Sequence, residues 1–441
     1  MTEVKNEVAE IQKYESEILA KGKHSASQDW IRGYTGEARV NPMTDKFAMD
    51  KFHSLEFYVG DAISTMKFYK SALGMKCVAK SDRSTGNNTY ASYILVSDQF
   101  RFVITAACSP HGVAIANKAG ASTDAVPDSD FDGLAAHDFV LKHGSAVRAV
   151  TITVDDATEA YEVSTANGAK GVREPREFDN GVIISEIVLT GDVVLRFIQG
   201  VEGNTYLPGY EAVEDDSPGF GLYRIDHVVL NTNSCEETFN YLNKSIGLHN
   251  FAEFDTEDVG TAESGLNSVV ASNNGHGVLF PINEPTFGTS KKSQIQIYLD
   301  HNAGPGVQHI AIKCDDIFET MTKLNAADGF EFLPAPPDYV NEETGESMTY
   351  YEWTKTRVGD HMTDEQIQKC KELDILVDID NDGILLQIFT KPLGDRPTLF
   401  IEIIQRLCFV SKEDLPACGS FGLNNFFYLF FSIQKDFDTI A

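Results

Sequence analysis

Three residues in the C-terminal half have the types and settings for metal chemistry: His227 in RIDHVVLNT, His309 in GPGVQHIAIKC and Glu402 in RPTLFIEIIQR. Each stands in the middle of a short run rich in β-branched residues, the composition of a strand. Two imidazoles and one carboxylate on rigid strands are the donor set of a mononuclear non-haem Fe(II) site, which takes its protein ligands on one face and leaves the other open. One histidine in such a run is ordinarily a satisfied core or surface residue. The combination on matching strands of one half is what points to a metal. Strand parity puts Phe400, Glu402 and Ile404 on one face, and Val307, His309 and Ala311 on another. A carboxylate flanked at i±2 by apolar side chains is costly to bury unless it is paired or bound to a cation.

Other polar groups stand on neighbouring runs. LLQIFTKP puts Gln387 and Phe389 on one face, and LFPINEP does the same for Pro281 and Asn283. SQIQIYL alternates Gln294, Gln296 and Tyr298 against Ile295, Ile297 and Leu299, and GLNSVV offers Ser268. Neutral amides and a hydroxyl among aromatic rings suit a pocket that orients a phenolic, anionic molecule.

The elements that must hold these residues are short strands alternating with short helices from about Phe47 onward, an α+β pattern. Two long blocks look alike. FHSLEFYV parallels RIDHVVLN, SAVRAVTITVDDATEAY parallels PGVQHIAIKCDDIFETM, and DVVLRFIQG parallels TLFIEIIQR. In the first copy Ala149 stands where His309 stands in the second, and Arg196 where Glu402 stands. Ser54 or His53 stands near His227, according to a one-residue choice of register. The first copy therefore cannot assemble the same donor set. The Pro-, Gly- and acid-rich stretch from Leu207 to Arg224 reads as a linker. The division that follows is an extension over 1–45, with a helix from Glu3 to Lys21, a metal-free domain over 46–216 and a catalytic domain over 217–441. An extra segment from about Phe332 to Asp380 carries TDEQIQKCKEL, which predicts a helix, and DIDNDG. The latter reads as a turn and not a calcium loop, because Phe389 stands where the twelfth-position glutamate would have to be.

Bulk properties set limits. A chain of 441 residues can bury two or three cores. A formal net charge of -30 would repel a phosphate backbone, which argues against nucleic acid. The 7 cysteines are scattered without C-x-x-C spacing, so neither a disulfide framework nor a structural zinc site is expected. No apolar run reaches the roughly 20 residues of a membrane span. The Glu-rich start lacks the apolar stretch of a secretory signal, and the cytoplasm is the expected location.

The stretches GLNSVVASN, PINEP, KKSQIQIYLDHNAGPGVQHIA and LLQIFTKPLGDRPTLFIEIIQR resemble the 4-hydroxyphenylpyruvate dioxygenase family. The likeness runs from about Asn41 to the C-terminus, and the 332–380 insertion resembles the plant and algal branch. It implies a vicinal-oxygen-chelate fold of paired βαβββ modules curled into half-barrel cups, with Fe(II) as cofactor in the C-terminal cup. His227, His309 and Glu402 would be the iron ligands. Gln294, Gln308 and Gln387 would be the catalytic amides, with Ser268, Asn283, Pro281 and Asn425 beside the substrate. Phe389, Phe400 and Phe426 would wall the pocket. Parity places Gln308 opposite His309. The C-terminal Phe421-Gly422-Leu423-Asn424-Asn425-Phe426 departs from the family's Phe-Gly-x-Gly-Asn-Phe at Asn424 and opens a helix that would close over the iron. The implied reaction converts 4-hydroxyphenylpyruvate and O₂ to homogentisate and CO₂, with no separate 2-oxoglutarate, in tyrosine breakdown or in quinone and tocopherol supply. A homodimer is expected. The competing readings are a hydroxymandelate synthase, with the same substrate and metal, and a metal-free binding protein on the same fold.

Overall fold

The computed structural model describes residues 41–108, 126–201, 206–254, 265–288, 290–336, 339–340, 347–380 and 383–409. The helices expected over 3–21 and after Phe421 lie outside the described residues, as do Asn425 and Phe426.

The first half contains β1 (Met49–Tyr58), α1 (Ala62–Leu73), β2 (Lys76–Ser81), β3 (Tyr90–Ser97), β4 (Phe100–Ala107), α2 (Gly133–His143), β5 (Ala146–Val154), α3 (Ala157–Ala166), β6 (Gly171–Glu177), β7 (Ile183–Thr190), β8 (Val193–Gln199) and β9 (Glu211–Ala212). The second contains β10 (Leu222–Asn231), α4 (Cys235–Ile246), β11 (His249–Phe254), β12 (Leu266–Ser272), β13 (Leu279–Pro285), α5 (Gln294–His301), β14 (Gly306–Cys314) and α6 (Ile317–Ala327). It continues with β15 (Tyr339–Val340), β16 (Ser347–Met348), α7 (Tyr350–Val358), α8 (Asp364–Glu372), β17 (Leu376–Ile379), β18 (Gly383–Phe389) and β19 (Phe400–Cys408).

The strands form two large sheets, ordered β6-β7-β8-β5-β1-β4-β3-β2-β9 and β11-β12-β13-β10-β14-β19-β18-β17, and β15 and β16 pair apart from them. Read in reverse, the second repeats the first strand for strand, apart from the short edge strand β9. Each half is thus two βαβββ units, with β15, β16, α7 and α8 inserted into the last of them.

Local chemistry repeats with the topology. Asp156 caps α3 by accepting from the N–H groups of Thr158 and Glu159, and Asp316 caps α6 through Phe318 and Glu319. Gln199 Oε1 accepts from the Ala157 N–H at 3.0 Å, and Gln405 Oε1 from the Ile317 N–H at 3.1 Å. Gly74 and Gly247 end α1 and α4 with φ of 64° and 89°, a left-handed turn that glycine adopts without steric penalty. A side chain at Gly247 would also strike the Thr44 carbonyl. The core is continuous between the halves, where Phe52 meets Phe280 edge-on at 5.3 Å.

SQIQIYL is a helix and not an alternating strand. Ser293 accepts from the Ile295 N–H, and Gln294, Ile295, Tyr298 and Leu299 form one buried stripe at i, i+1, i+4 and i+5. Its period-2 pattern is equally a helical face once a capping serine precedes it. TDEQIQKCKEL is the helix α8, entered through a reciprocal Thr363–Gln366 cap. DIDNDG joins β17 to β18, with the Asp380 N–H donating to the Gly383 carbonyl at 3.0 Å. Of the cysteines, Cys77, Cys108, Cys235, Cys314 and Cys370 are free, whereas Cys408 at the end of β19 is disulfide-bonded. Among the described residues that is a single bonded cysteine and not a disulfide framework. No described helix is long and apolar enough to cross a membrane.

Candidate metal centre

The concave face of the second sheet carries the site. His227 comes from β10, His309 from β14 and Glu402 from β19, three strands that are hydrogen-bonded in that order. Glu402 Oε2 lies 3.1 Å from His227 Nε2 and 3.3 Å from His309 Nε2. The donor atoms all lie within 4.8 Å of one another, and no other such group of His, Cys, Asp and Glu occurs among the described residues. The two rings stand at 76° to each other. All three side chains are buried, at 5%, 3% and 2% exposure.

Two β-bulges aim the histidines. Between β10 and β14 the partners run Ile225↔Ile312 then His227↔Ala311, and further on Val229↔His309 then Leu230↔Val307. Asp226 is thus the extra residue on one strand and Gln308 on the other, each immediately before a ligand histidine. A bulge breaks the alternation of faces, so each extra side chain reaches the ring that follows it. His227 Nδ1 lies 3.0 Å from Asp226 Oδ2, and His309 Nδ1 lies 2.9 Å from Gln308 Oε1. With Nδ1 occupied as donor on both rings, both Nε2 atoms are left to face Glu402. Parity therefore misplaces Gln308, which bonds His309 from the same side of the sheet.

Electrostatics follow from burial. Burial works against ionisation of Glu402, but the two imidazoles outweigh it and hold its carboxyl below the usual range. Burial likewise disfavours charge on His227, yet Glu402 and Asp226 together raise its pKa. His309, with a neutral amide behind it, is lowered, chiefly by burial. Such a cluster of two imidazoles and one carboxylate, poor in water, is suited to a divalent cation that takes the place of the shared proton.

Around the donors is a tight cavity of about 30 Å³ lined by Val229, Phe254, Ser268, Val270, Pro281, Asn283, Leu385, Gln387 and Phe389 besides the ligand residues. That is room for a water molecule. A larger guest needs its lining side chains to move. Three lining residues keep buried polar atoms without a partner: Ser268 Oγ, Asn283 Oδ1 and Gln387 Oε1. Orphaned polar atoms facing a cavity are what a polar ligand would satisfy. Gln294 is buried with an unpartnered Oε1 but does not line this cavity. Phe400 does not line it either. It stacks on His309 at 4.7 Å and 22°, backing the imidazole.

A model of the Glyoxalase/Bleomycin resistance protein/Dioxygenase superfamily matches residues 51–188 and 224–346, one stretch in each half. The chain is 46% identical over 437 residues to the 4-hydroxyphenylpyruvate dioxygenase of Daucus carota, covering 96% of this chain and 95% of that protein. It is 48% identical to that of Plectranthus scutellarioides, over 91% and 92% of the two chains. The chain belongs to the 4-hydroxyphenylpyruvate dioxygenase family. It is accordingly a dioxygenase with the vicinal-oxygen-chelate fold. A mutant 4-hydroxymandelate synthase from Streptomyces coelicolor superposes with a TM-score of 0.69 at 21% identity, over 88% of this chain and 99% of that one, which shares the fold.

The dioxygenase family's cup also has its echo in the first half. There β1 pairs with β5 through Ser54↔Thr151 and Glu56↔Ala149, with the same two register shifts, around His53 and Arg148. Thr151 lies opposite Arg196 on β8, as Ala311 lies opposite Glu402 on β19. Ser54, not His53, is therefore the counterpart of His227, and Ala149 and Arg196 are those of His309 and Glu402. Arg196 is locked in place by Glu56 at 2.8 Å, Glu186 at 2.6 Å and the Tyr206 hydroxyl at 2.9 Å. A cavity of about 960 Å³ opens there, far larger than the one around the histidines. Size does not choose the metal site; the donor set does. Sequence reasoning missed Asp226 and its partner Arg406, which sits four residues after Glu402. The signal was present as the acid directly before His227, but parity hid it.

Proposed function

We propose that this chain is an Fe(II)-dependent enzyme that converts 4-hydroxyphenylpyruvate and O₂ to homogentisate and CO₂. The observation that carries the reading is the buried His227, His309 and Glu402 cluster beside three unpartnered polar atoms, in a chain 46% identical over nearly its whole length to a dioxygenase of that name. His227 and His309 would offer Nε2, and Glu402 an oxygen. Fe(II) bound there would supply the activation of O₂ and an anchor for a 2-oxo acid.

The rest falls to the chain's own residues. Ser268, Asn283 and Gln387 hold the substrate's polar groups with their orphaned atoms, whereas Gln294, buried at the start of α5, stands outside that lining. Pro281 and Phe389 wall the ring. Gln308 and Phe400 act one step back, on the His309 imidazole. Burial of the three ligand side chains, 2–5% exposed, limits the access of bulk water to the reacting atoms. On the family likeness we assign Asn425 and Phe426, which lie outside the described residues, a role in binding the substrate. We further read residues 46–216 as a domain without a metal site and 217–441 as the catalytic one, in a cytoplasmic homodimer.

Oxygen uptake by the protein reconstituted with Fe(II) and given 4-hydroxyphenylpyruvate tests this, with the product identified by mass and NMR. Homogentisate is expected. 4-Hydroxymandelate would reassign the reaction, and fewer than about 0.2 Fe per chain after reconstitution would favour a metal-free binding protein.

A further inference from the structure

We propose that Asp226, clamped by Arg406, is a positioning residue that locks the His227 imidazole with Nε2 toward the metal and so sets the affinity of the site for a divalent cation. This rests on the reading that His227, His309 and Glu402 bind a metal. Asp226 Oδ2 lies 3.0 Å from His227 Nδ1, and Arg406 reaches the same carboxylate with Nε at 3.0 Å from Oδ1 and Nη2 at 2.7 Å from Oδ2. Arg224 adds a longer contact of 3.8 Å to Oδ1. Asp226 and Arg406 are 1% and 3% exposed. A carboxylate taken out of water in this way persists only when paired. Here the pairing is two-pronged, from a guanidinium whose planar fork holds the carboxylate at a fixed angle.

The geometry is more than a buried ion pair. Asp226 and Arg406 belong to β10 and β19, the strands that also supply His227 and Glu402. One carboxylate therefore links a ligand ring to the backbone that carries the ligand acid. Ala311, Leu385 and Ile404, on strands β14, β18 and β19, form a small buried apolar cluster of their own. The two ligand rings are treated differently: His227 is backed by a charged acceptor and His309 by the neutral Gln308 amide. A carboxylate behind an imidazole fixes its tautomer and makes it a stronger donor.

The first half supplies an internal comparison. It keeps both bulges, but the counterpart of Asp226 is His53 and that of Arg406 is Gly200. The half without a donor cluster also lacks the clamp. A pair needed only to hold the sheet together would be expected in both halves. This one occurs where the ligand ring is.

The test is Co(II) binding to the full-length apo-protein, measured by competition with a chelating dye, together with the visible spectrum of the Co(II) complex. Asp226→Asn keeps the shape and removes the charge. The pair Asp226→Asn/Arg406→Gln removes both charges of the clamp together, so that neither is left buried without the other. Thermal unfolding of each apo-variant establishes that it is folded. Binding about 10–100-fold weaker than wild type, with a shifted Co(II) spectrum, is expected of the folded double variant. Affinity within twofold of wild type and an unchanged spectrum would overturn the clamp alone. Wild-type protein that binds no Co(II) would overturn the metal reading and the clamp with it.

Discussion

Replacing Arg196 by alanine should damage the first half severely and leave metal binding in the second untouched. The guanidinium touches Glu56 Oε2 at 2.8 Å, Glu186 Oε1 at 2.6 Å and the Tyr206 hydroxyl at 2.9 Å, all in the interior. Truncation leaves two carboxylates facing each other in the core. Arg173, 3.8 Å from Glu186, and the more weakly acting Arg148 remain as counter-charges. Breaking a buried pair by removing one partner costs about 3–5 kcal/mol. At roughly 2–4 °C per kcal/mol for a domain of this size, the melting point of the first half should fall by about 6–20 °C. The loss should depend on pH. Burial opposes ionisation of Glu186, but Arg196 and Arg173 outweigh it and lower its pKa. A depressed carboxyl stabilises the fold above its unfolded pKa and loses that contribution as pH falls through the folded one. In the variant only Arg173 and Arg148 still oppose burial, so acidification relieves the strain and the gap from wild type narrows. Denaturant unfolding at neutral and mildly acidic pH, with metal content measured on the folded fraction, checks each part. A loss under about 1 kcal/mol would refute the account of the buried triad. A folded variant that no longer binds metal would refute the assignment of chemistry to the second half alone.

Glu402→Ala removes the oxygen donor of the cluster and should abolish turnover along with most of the bound iron; oxygen consumption near wild type would contradict the ligand set. Ser268→Ala deletes a buried hydroxyl without a partner, so the apo-protein should melt at the same temperature or higher while the KM for 4-hydroxyphenylpyruvate rises. A lower melting point with unchanged KM would place that hydroxyl in the scaffold. Asp316→Ala removes the acceptor for the Phe318 and Glu319 N–H groups at the start of α6 and should destabilise by about 1 kcal/mol in urea unfolding. Asp45 is raised to about 6, mainly by burial. Its folded pKa lies above the unfolded value, so wild-type stability should decline relative to Asp45→Asn as pH rises from about 4 to 6 and hold level beyond. A difference independent of pH would show that burial of this carboxyl has been misjudged.

The duplication was legible because it is local. The acid pairs before α3 and α6 are short-range signals that cap helices in both halves, and the glutamines on β8 and β19, though they reach those helices from afar, recur at matching places and align the copies. The donors were legible for a related reason: Glu402 between apolar neighbours has few tolerable fates inside a protein other than pairing or metal binding. SQIQIYL was misread because six alternating residues are too few to separate a strand from a short helix, and only packing does so.

Residue types and strand parity alone determined that His227, His309 and Glu402 are the chain's candidate ligands, and that the first half, with Ala149 and Arg196 in their places, has none. Which side chains stand behind those ligands was decided by the tertiary structure. Asp226 and Gln308 reach the imidazole nitrogens only because each is the extra residue of a bulge, and a bulge arises from the register between two strands. The partner that fixes that register, Ala311 for His227, lies 84 residues further along the chain. Neither strand by itself carries the information.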